Sequence, residues 1–569
     1  MSNDRHDLYS FETEIDNKIA QSNVFNLPLM SVLTFLFGTI DNMIRSGPLG
    51  GGISKSKEAE ALGSRLSYLT QFLLKCTPEI AASATNAFLN SVQFVTDFPD
   101  IISYAHFCEL MPEVRRDYYE VRKFDEGFEL VYPDEEFAKA EAYDIILTEL
   151  SLTFLVGEPP DLTQEFIELA GQSPQLDIFL MSKVLTALFQ YRLNSIKEVP
   201  IVEPNAFQIS IGIRWEDFCK VRAALFAYAD FCIRLADALE ILWLNESNNT
   251  KKEAIFDEFY EWVAVSNNKS FFISLLKGMT KVTSSEIEKI LKFFTINFEN
   301  QDFKNAGDGF FPPLVNYSDS YLFSPHILRS FLAGRNIFYV LNKSNPTQFN
   351  NIVSQHLEPT LLKQALEIFK ILPGLEKFSN EKWSNGEFDL LIYQSSSNTL
   401  LHIQAKAAIP PQGARMTKAV ETRSQEGIEQ LNRFQYLPEN ERDSLISKIL
   451  KKRVEKVRCV SVLLCRAGLG TYSVWKLKTE KDITVVNLQL LNKVIQILFF
   501  SNLNLSDFKG VTDSLLIDIY NKSVLGWEKG KISLNGISIH MPLLKLNHDE
   551  IRKIMRQLPR SLFVLGNSE

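Results

Sequence analysis

Residues 386–406 carry two carboxylates, an amide and an ammonium at spacings from which they can act together. Glu387 and Asp389 alternate with Phe388 and Leu390 in one run, and Gln404 and Lys406 alternate with Ile403 and Ala405 in a second. Oxygen-bearing groups of this kind suit a hard divalent cation, and an ammonium adds positive charge beside them. The same residues on a plain amphipathic hairpin would amount to an exposed Glu387–Lys406 ion pair, worth less than about 1 kcal/mol.

The two runs have to be neighbouring strands for any of this chemistry to assemble. Gln394-Ser395-Ser396-Ser397-Asn398 supplies a polar turn between them. Pairing Gln394 with Thr399 sets Ile392 opposite Leu401, Leu390 opposite Ile403 and Phe388 opposite Ala405, which makes one face wholly apolar. Asp389 then stands opposite Gln404, and Glu387 opposite Lys406, on the other face. A one-residue slip would set polar residues against apolar ones, so the hydrophobic pattern itself supports this register. His402 shares the polar face and reads as a packing or substrate-contact residue, because Mg²⁺ prefers oxygen.

Asp389 followed by Gln404-Ala405-Lys406 resembles the PD-(D/E)XK nuclease superfamily, in its QxK form. The resemblance implies that Asp389, Gln404 and the Ala405 carbonyl bind Mg²⁺, with Mn²⁺ able to substitute, and that Lys406 orients or activates the attacking water. Gln404 brings an oxygen but no charge. Glu387 on the same face, or Glu367 from the preceding helix, could supply the missing negative charge. The implied activity is Mg²⁺-dependent hydrolysis of phosphodiester bonds, endonucleolytic and on DNA rather than RNA. The alternative is a catalytically inactive nuclease-like scaffold or nucleic-acid-binding protein. A large helical module joined to such a nuclease is similar to bacterial antiviral defence effectors, which is analogy at the level of fold.

Cations for a phosphate backbone are sought in the same region. A helix expected over 417–435 carries Lys418, Arg423, Gln430 and Arg433, with Arg415 just before it. Gln430 looks similar to a Gln that some superfamily members carry on this helix. The densest basic run follows, with Lys448, Lys451, Lys452, Arg453, Lys456 and Arg458. Such runs are often solvated helix faces, but here one could attract phosphate without reading sequence. Gly50-Gly51-Gly52-Ile53-Ser54-Lys55-Ser56 lacks the Gly-Lys-Ser/Thr ending of a phosphate loop and reads as an interhelical loop. Arg466-Ala467-Gly468-Leu469-Gly470 reads as a hairpin turn between strands 458–465 and 471–477.

The rest of the chain bounds the architecture. With 569 residues, 45% hydrophobic content and 42 Phe against 25 Gly and 22 Pro, it can bury a large, mainly helical core. Helical periodicity dominates 1–300, as in 181–191 and 221–244, with breaks at Gly47–Gly52, Glu158–Asp161 and Glu198–Asn205. The expected fold is mixed α+β: a large all-helical N-terminal region (1–300) that binds a protein partner or senses a trigger, a linker (301–325), a PD-(D/E)XK-like α/β domain with a mixed central sheet (326–500), and a C-terminal extension packed on it (501–569). The six cysteines contain no CxxC pair, which argues against a structural zinc site. A net charge of -9 argues against a uniformly basic coat, though not against a local basic groove. No apolar run reaches the roughly 18 residues of a membrane span, so no membrane role is expected and the chain is placed in the cytoplasm.

Overall fold

Strict alternation over 386–406 produces two adjacent strands, and the chain on either side completes a five-stranded mixed sheet. A computed structural model describes residues 3–46, 59, 61–76, 92–151, 154–155, 158–197, 199–298, 309–331, 333–410 and 414–555. The glycine-rich 50–56 loop lies outside the described residues. The sheet unit runs α1 (Ser354–Phe369), β1 (Leu375–Trp383), β2 (Gly386–Gln394), β3 (Thr399–Lys406), α2 (Ala414–Gln435), α3 (Glu439–Leu450), β4 (Arg458–Cys465), α4 (Tyr472–Glu480), β5 (Thr484–Val486) and α5 (Leu488–Phe500). Across the sheet the order is β5-β4-β3-β2-β1. The β1, β2 and β3 neighbours are antiparallel, and β3, β4 and β5 are parallel.

The register of β2 and β3 is the one their hydrophobic pattern demands, from Leu390 opposite Ile403 to Gln394 opposite Thr399. Asn398 closes the loop with φ of 46°, a left-handed conformation that Asn tolerates, and accepts a hydrogen bond from Tyr393 Oη at 2.9 Å. Leu390, Ile392, Leu401, Ile403 and Ala405 enter the main core, each large side chain contributing about 1.5–3 kcal/mol of burial.

The second face of the hairpin is also covered. Leu391, Tyr393 and Leu400 pack beneath Phe434 of α2 and Ile446 and Leu450 of α3, so β3 is buried from Thr399 to Ala405. Phe388 belongs to this second cluster and not, as alternation predicts, to the face of Leu390. Its ring stacks on Trp383 at 5.5 Å and meets Phe434 edge-on at 5.2 Å. Aromatic packing between β1 and α2 thus overrides the period of two, and strand pairing ends at Leu390–Ile403.

Several other expectations are corrected. Residues 472–477 belong to helix α4, with Thr471 its extended N-cap residue, because β4 and β5 are parallel and need a crossover; 466–470 is therefore part of a strand-to-helix loop. The N-terminal part is mostly helical but not all-helical. Its longest helix, Trp215–Asn245, is buried on most sides and joined to helix Ile178–Ser195 by a buried Arg192–Asp230 pair at 2.5 Å. Strands Glu120–Phe124 and Gly127–Val131 form a hairpin there. Within the expected 301–325 linker, residues 301–308 lie outside the described residues, while Leu314–Tyr317 and Ser320–Phe323 pair with each other and, through a four-stranded mixed sheet, with Thr295–Asn297 and Val265–Asn268.

Beyond residue 500 the chain divides. Helix Phe508–Ser523 packs with α5, whereas hairpin Val524–Leu534/Ile537–Leu546 joins the 120–131 hairpin in a third mixed sheet, Ile539 pairing with Phe128. Asn535 and Gly536, at φ of 53° and 80°, form the two-residue turn that suits right-twisted strands. Among the described residues no helix is long and apolar enough to cross a membrane.

Candidate active-site cleft

Where β2 stops pairing with β3, the side chain of Asp389 takes over from the ladder. The Ala405 N–H donates to Asp389 Oδ2 at 2.8 Å, and Gln404 Nε2 donates to the same oxygen at 2.5 Å. Both donors converge on one oxygen of the carboxylate. Tying the amide by its nitrogen turns Gln404 Oε1 away, and that atom is buried with no hydrogen-bond partner. An unpaired buried amide oxygen costs about 1–3 kcal/mol unless something meets it.

The cleft at this end of the sheet has a volume of about 340 Å³. Its polar walls are Glu358 of α1, Glu387, Asp389, Gln404 and Lys406 of the hairpin, and Gln430 and Arg433 of α2. Gln430 Oε1 is a second buried oxygen without a partner. Lys406 is nearly buried and points its Nζ toward Glu358 Oε1, 3.8 Å away. Gly427 of α2 makes room for it: a Cβ there would lie 2.8 Å from Lys406 Cγ and 2.7 Å from Leu463 Cδ1. Burial pushes the Asp389 carboxyl up to about 6, against the lowering effects of the Ala405 N–H and of Lys406; Glu358 raises it further. His402 packs edge-on against Phe388 and Phe434 and borders the cleft, with burial lowering its pKa to about 3 and neither ring nitrogen hydrogen-bonded.

The sequence-derived residues separate into those the cleft gathers and those it does not. Asp389, Gln404, the Ala405 backbone and Lys406 come together. Glu387 stands at the exposed rim with Lys382 as its strand partner, so the expected Glu387–Lys406 pairing is replaced by Glu358–Lys406. Glu367 is not part of the cleft and binds Lys370 at 2.6 Å. Nine residues separate it from Glu358, about half a turn around the helix and roughly 13 Å along it, which points the two carboxylates in opposite directions. Glu358 was missed because only the docked phase of α1, set after the π-helical turn Phe349–Val353, selects one Glu over another.

The basic residues are dispersed. Lys452 binds Glu376 at 2.5 Å and Ser395 at 3.0 Å, at the turn end of the hairpin, roughly 20 Å along the strands from Asp389. Arg453 pairs with Glu455, and Lys451 is the exposed left-handed cap of α3. Arg423 donates to the Ala407 carbonyl at 2.9 Å, and Lys418 faces a different cleft. The side chain of Arg415 lies outside the described residues. Among the described residues, Lys406 and Arg433 are the cations lining the site.

No protein-family model, curated protein or solved structure matches this chain. The donors themselves must therefore be tested against a divalent ion. Among the described residues no group of three or more His, Cys, Asp or Glu side chains is placed to hold a metal. The cleft instead offers the carboxylates of Glu358 and Asp389, with Glu387 at its rim, and two unpartnered amide oxygens, the hard donors that Mg²⁺ accepts alongside its own waters. The donor set fits a Mg²⁺ site of modest charge. Glu358→Gln is expected to weaken Mg²⁺-induced thermal stabilisation about tenfold in ion concentration, with Glu367→Gln unchanged; equal behaviour of the two variants would remove Glu358 from the site.

Proposed function

We propose that this chain is a metal-dependent nuclease hydrolysing phosphodiester bonds, with its reaction centre in the Asp389–Lys406 cleft. The observation that carries the reading is the Asp389 carboxylate tied by the Ala405 N–H and Gln404 Nε2, which leaves the Gln404 oxygen buried and unpartnered beside Lys406. A carboxylate, an amide oxygen and an ammonium on adjacent strands of a mixed sheet support the reading that the motif's resemblance to PD-(D/E)XK nucleases implies. Asp389, Gln404 Oε1 and the Ala405 carbonyl would hold Mg²⁺ or Mn²⁺, and Glu358 supplies the negative charge that Gln404 lacks. When bound, the ion lowers the pKa of its water and offsets charge developing on phosphate.

The protein's own groups do the rest. Lys406, packed close to Gly427 of α2, would set its ammonium beside an attacking water or a phosphate oxygen. Arg433, exposed on α2 at the rim, is placed to hold the flanking backbone phosphate. DNA is the proposed substrate, on the strength of the motif resemblance. The mostly helical N-terminal part is proposed to engage a protein partner.

The absence of a three-member carboxylate, His or Cys group among the described residues favours a second reading, a scaffold that binds nucleic acid without cutting it. The purified chain should nick or cut plasmid DNA in Mg²⁺ or Mn²⁺, stop in EDTA and resume when the ion is restored, with single-stranded DNA and RNA run in parallel. Binding without cleavage of any of the three substrates, in either ion, would establish the scaffold.

A further inference from the structure

A larger cleft of about 740 Å³ opens between the N-terminal part and the far side of α2. The end of helix Val92–Val114, the residues flanking the 120–131 hairpin (116–119 and Tyr132) and helix Glu135–Ser151 form one wall; Thr417, Glu421 and Gln425 of α2, with the start of α4, form the other. Its volume is that of a small-molecule site, and it is separate from the Asp389 cleft.

Two features of the lining are independent of each other. The first is an aromatic wall: Tyr119 stacks on Tyr132 at 5.4 Å, Tyr132 on Phe137 at 5.3 Å, and Phe137 on Tyr472 at 4.7 Å. The second is Glu141, 6% exposed, whose Oε1 has no hydrogen-bond partner. Most other carboxylates here are accounted for. Asp144 accepts from the Leu469 and Gly470 N–H groups and from Trp475 Nε1, Asp117 pairs with Arg5, and Glu421 accepts from Ser473 Oγ at 2.7 Å. Glu113 accepts the Tyr119 hydroxyl at 3.1 Å, and burial, with Glu109 nearby, pushes its carboxyl up to about 7.

A buried carboxylate oxygen without a partner calls for a donor, and a neighbouring second carboxylate calls for that donor to be positive. Stacked aromatic rings attract cations through their faces and cover attached methylene groups. Arg116 and Lys418 also line the cleft, but an anion would meet the more numerous carboxylates of Glu113, Asp117, Glu141, Asp144, Glu149 and Glu421, a neutral apolar ligand would leave Glu141 Oε1 unpaired, and among the described residues no three carboxylate, His or Cys side chains are grouped to hold a bare metal ion. We propose that this cleft binds a small organic cation, an ammonium or guanidinium group on a short apolar chain, with Glu141 receiving the charge and the aromatic wall holding the chain.

Titration calorimetry on the full chain with spermidine, agmatine and tetramethylammonium tests this, alongside a neutral diol of similar length and a peptide carrying internal Arg and Lys. At least one small cation should bind saturably at concentrations up to about 5 mM, and the diol should not. Glu141→Gln should weaken that binding about tenfold or more, and Tyr132→Leu should weaken tetramethylammonium several-fold, with thermal melts showing both variants folded. Saturable binding of the peptide alone, lost in Glu141→Gln, would also support the site and assign the cation to a partner's side chain. No saturable binding by any cation, or equal affinity in parent and folded Glu141→Gln, would overturn it. Neither outcome bears on cleavage at Asp389.

Discussion

Asp389→Asn is expected to abolish metal-dependent cleavage, by about 10³-fold or more, while making the metal-free protein more stable at neutral pH. The two effects come from one carboxyl. Its pKa lies at about 6 in the folded chain, chiefly because burial penalises the charge, against roughly 3.9 in an unfolded one. Folded protein therefore binds the extra proton between those values. The stability this confers is complete below about pH 4 and is lost as pH rises through about 6. At pH 7 the ionised carboxylate costs on the order of 2 kcal/mol, discounted because the group is only partly buried. Asn keeps the shape, removes that cost and should flatten the stability profile between pH 4 and 7 in EDTA. Mg²⁺ should raise the melting temperature of the parent at pH 7 and leave Asp389→Asn unmoved. A variant that melts lower than the parent in EDTA at pH 7, or that still cuts, would remove Asp389 from the proposed role.

Lys406→Ala is expected to lower cleavage by about 10²-fold or more while leaving Mg²⁺ binding intact or slightly stronger, since it removes a positive charge from beside the ion. Gly427→Ala offers a subtler version of the same experiment. The added methyl would collide with Lys406 Cγ and Leu463 Cδ1 at under 3 Å, so it should cost about 1–3 kcal/mol and move the ammonium without deleting it. Cleavage should fall in both variants, and raising pH should rescue neither if Lys406 acts by position and charge. Unchanged cleavage in Lys406→Ala would remove the lysine from the reaction, and a fall in cleavage accompanied by loss of Mg²⁺-induced stabilisation would leave it as a packing residue between α1, α2 and β4. The observable that separates the two is the response to Mg²⁺: a structural lysine would disturb ion-induced stabilisation and cleavage together, a catalytic one cleavage alone.

The turn, the register and the meeting of Asp389 with Gln404 could all be read from residues 386–406, because a period of two leaves one pairing that keeps apolar residues together. Local patterns of this kind are decided by neighbours in the chain. The C-terminal hairpin is equally legible, in Asn535-Gly536 flanked by alternating residues.

What alternation could not supply is rotation, docking and distance. Phe388 left its expected face because Trp383 and Phe434 offered it a ring stack. Glu358 entered the cleft and Glu367 did not because they lie on opposite sides of one helix, whose phase is fixed only when Leu357, Leu361 and Ala365 find the core. The basic run near 450 lies in the same sheet unit as Asp389 yet at the opposite end of the strands, a separation no count of residues reveals. Composition and period thus determined which segments could become strands and helices and which side chains carry the chemistry. Only the packed structure decided which of those side chains share a cleft, because that depends on contacts between residues distant in sequence whose energies no local pattern contains.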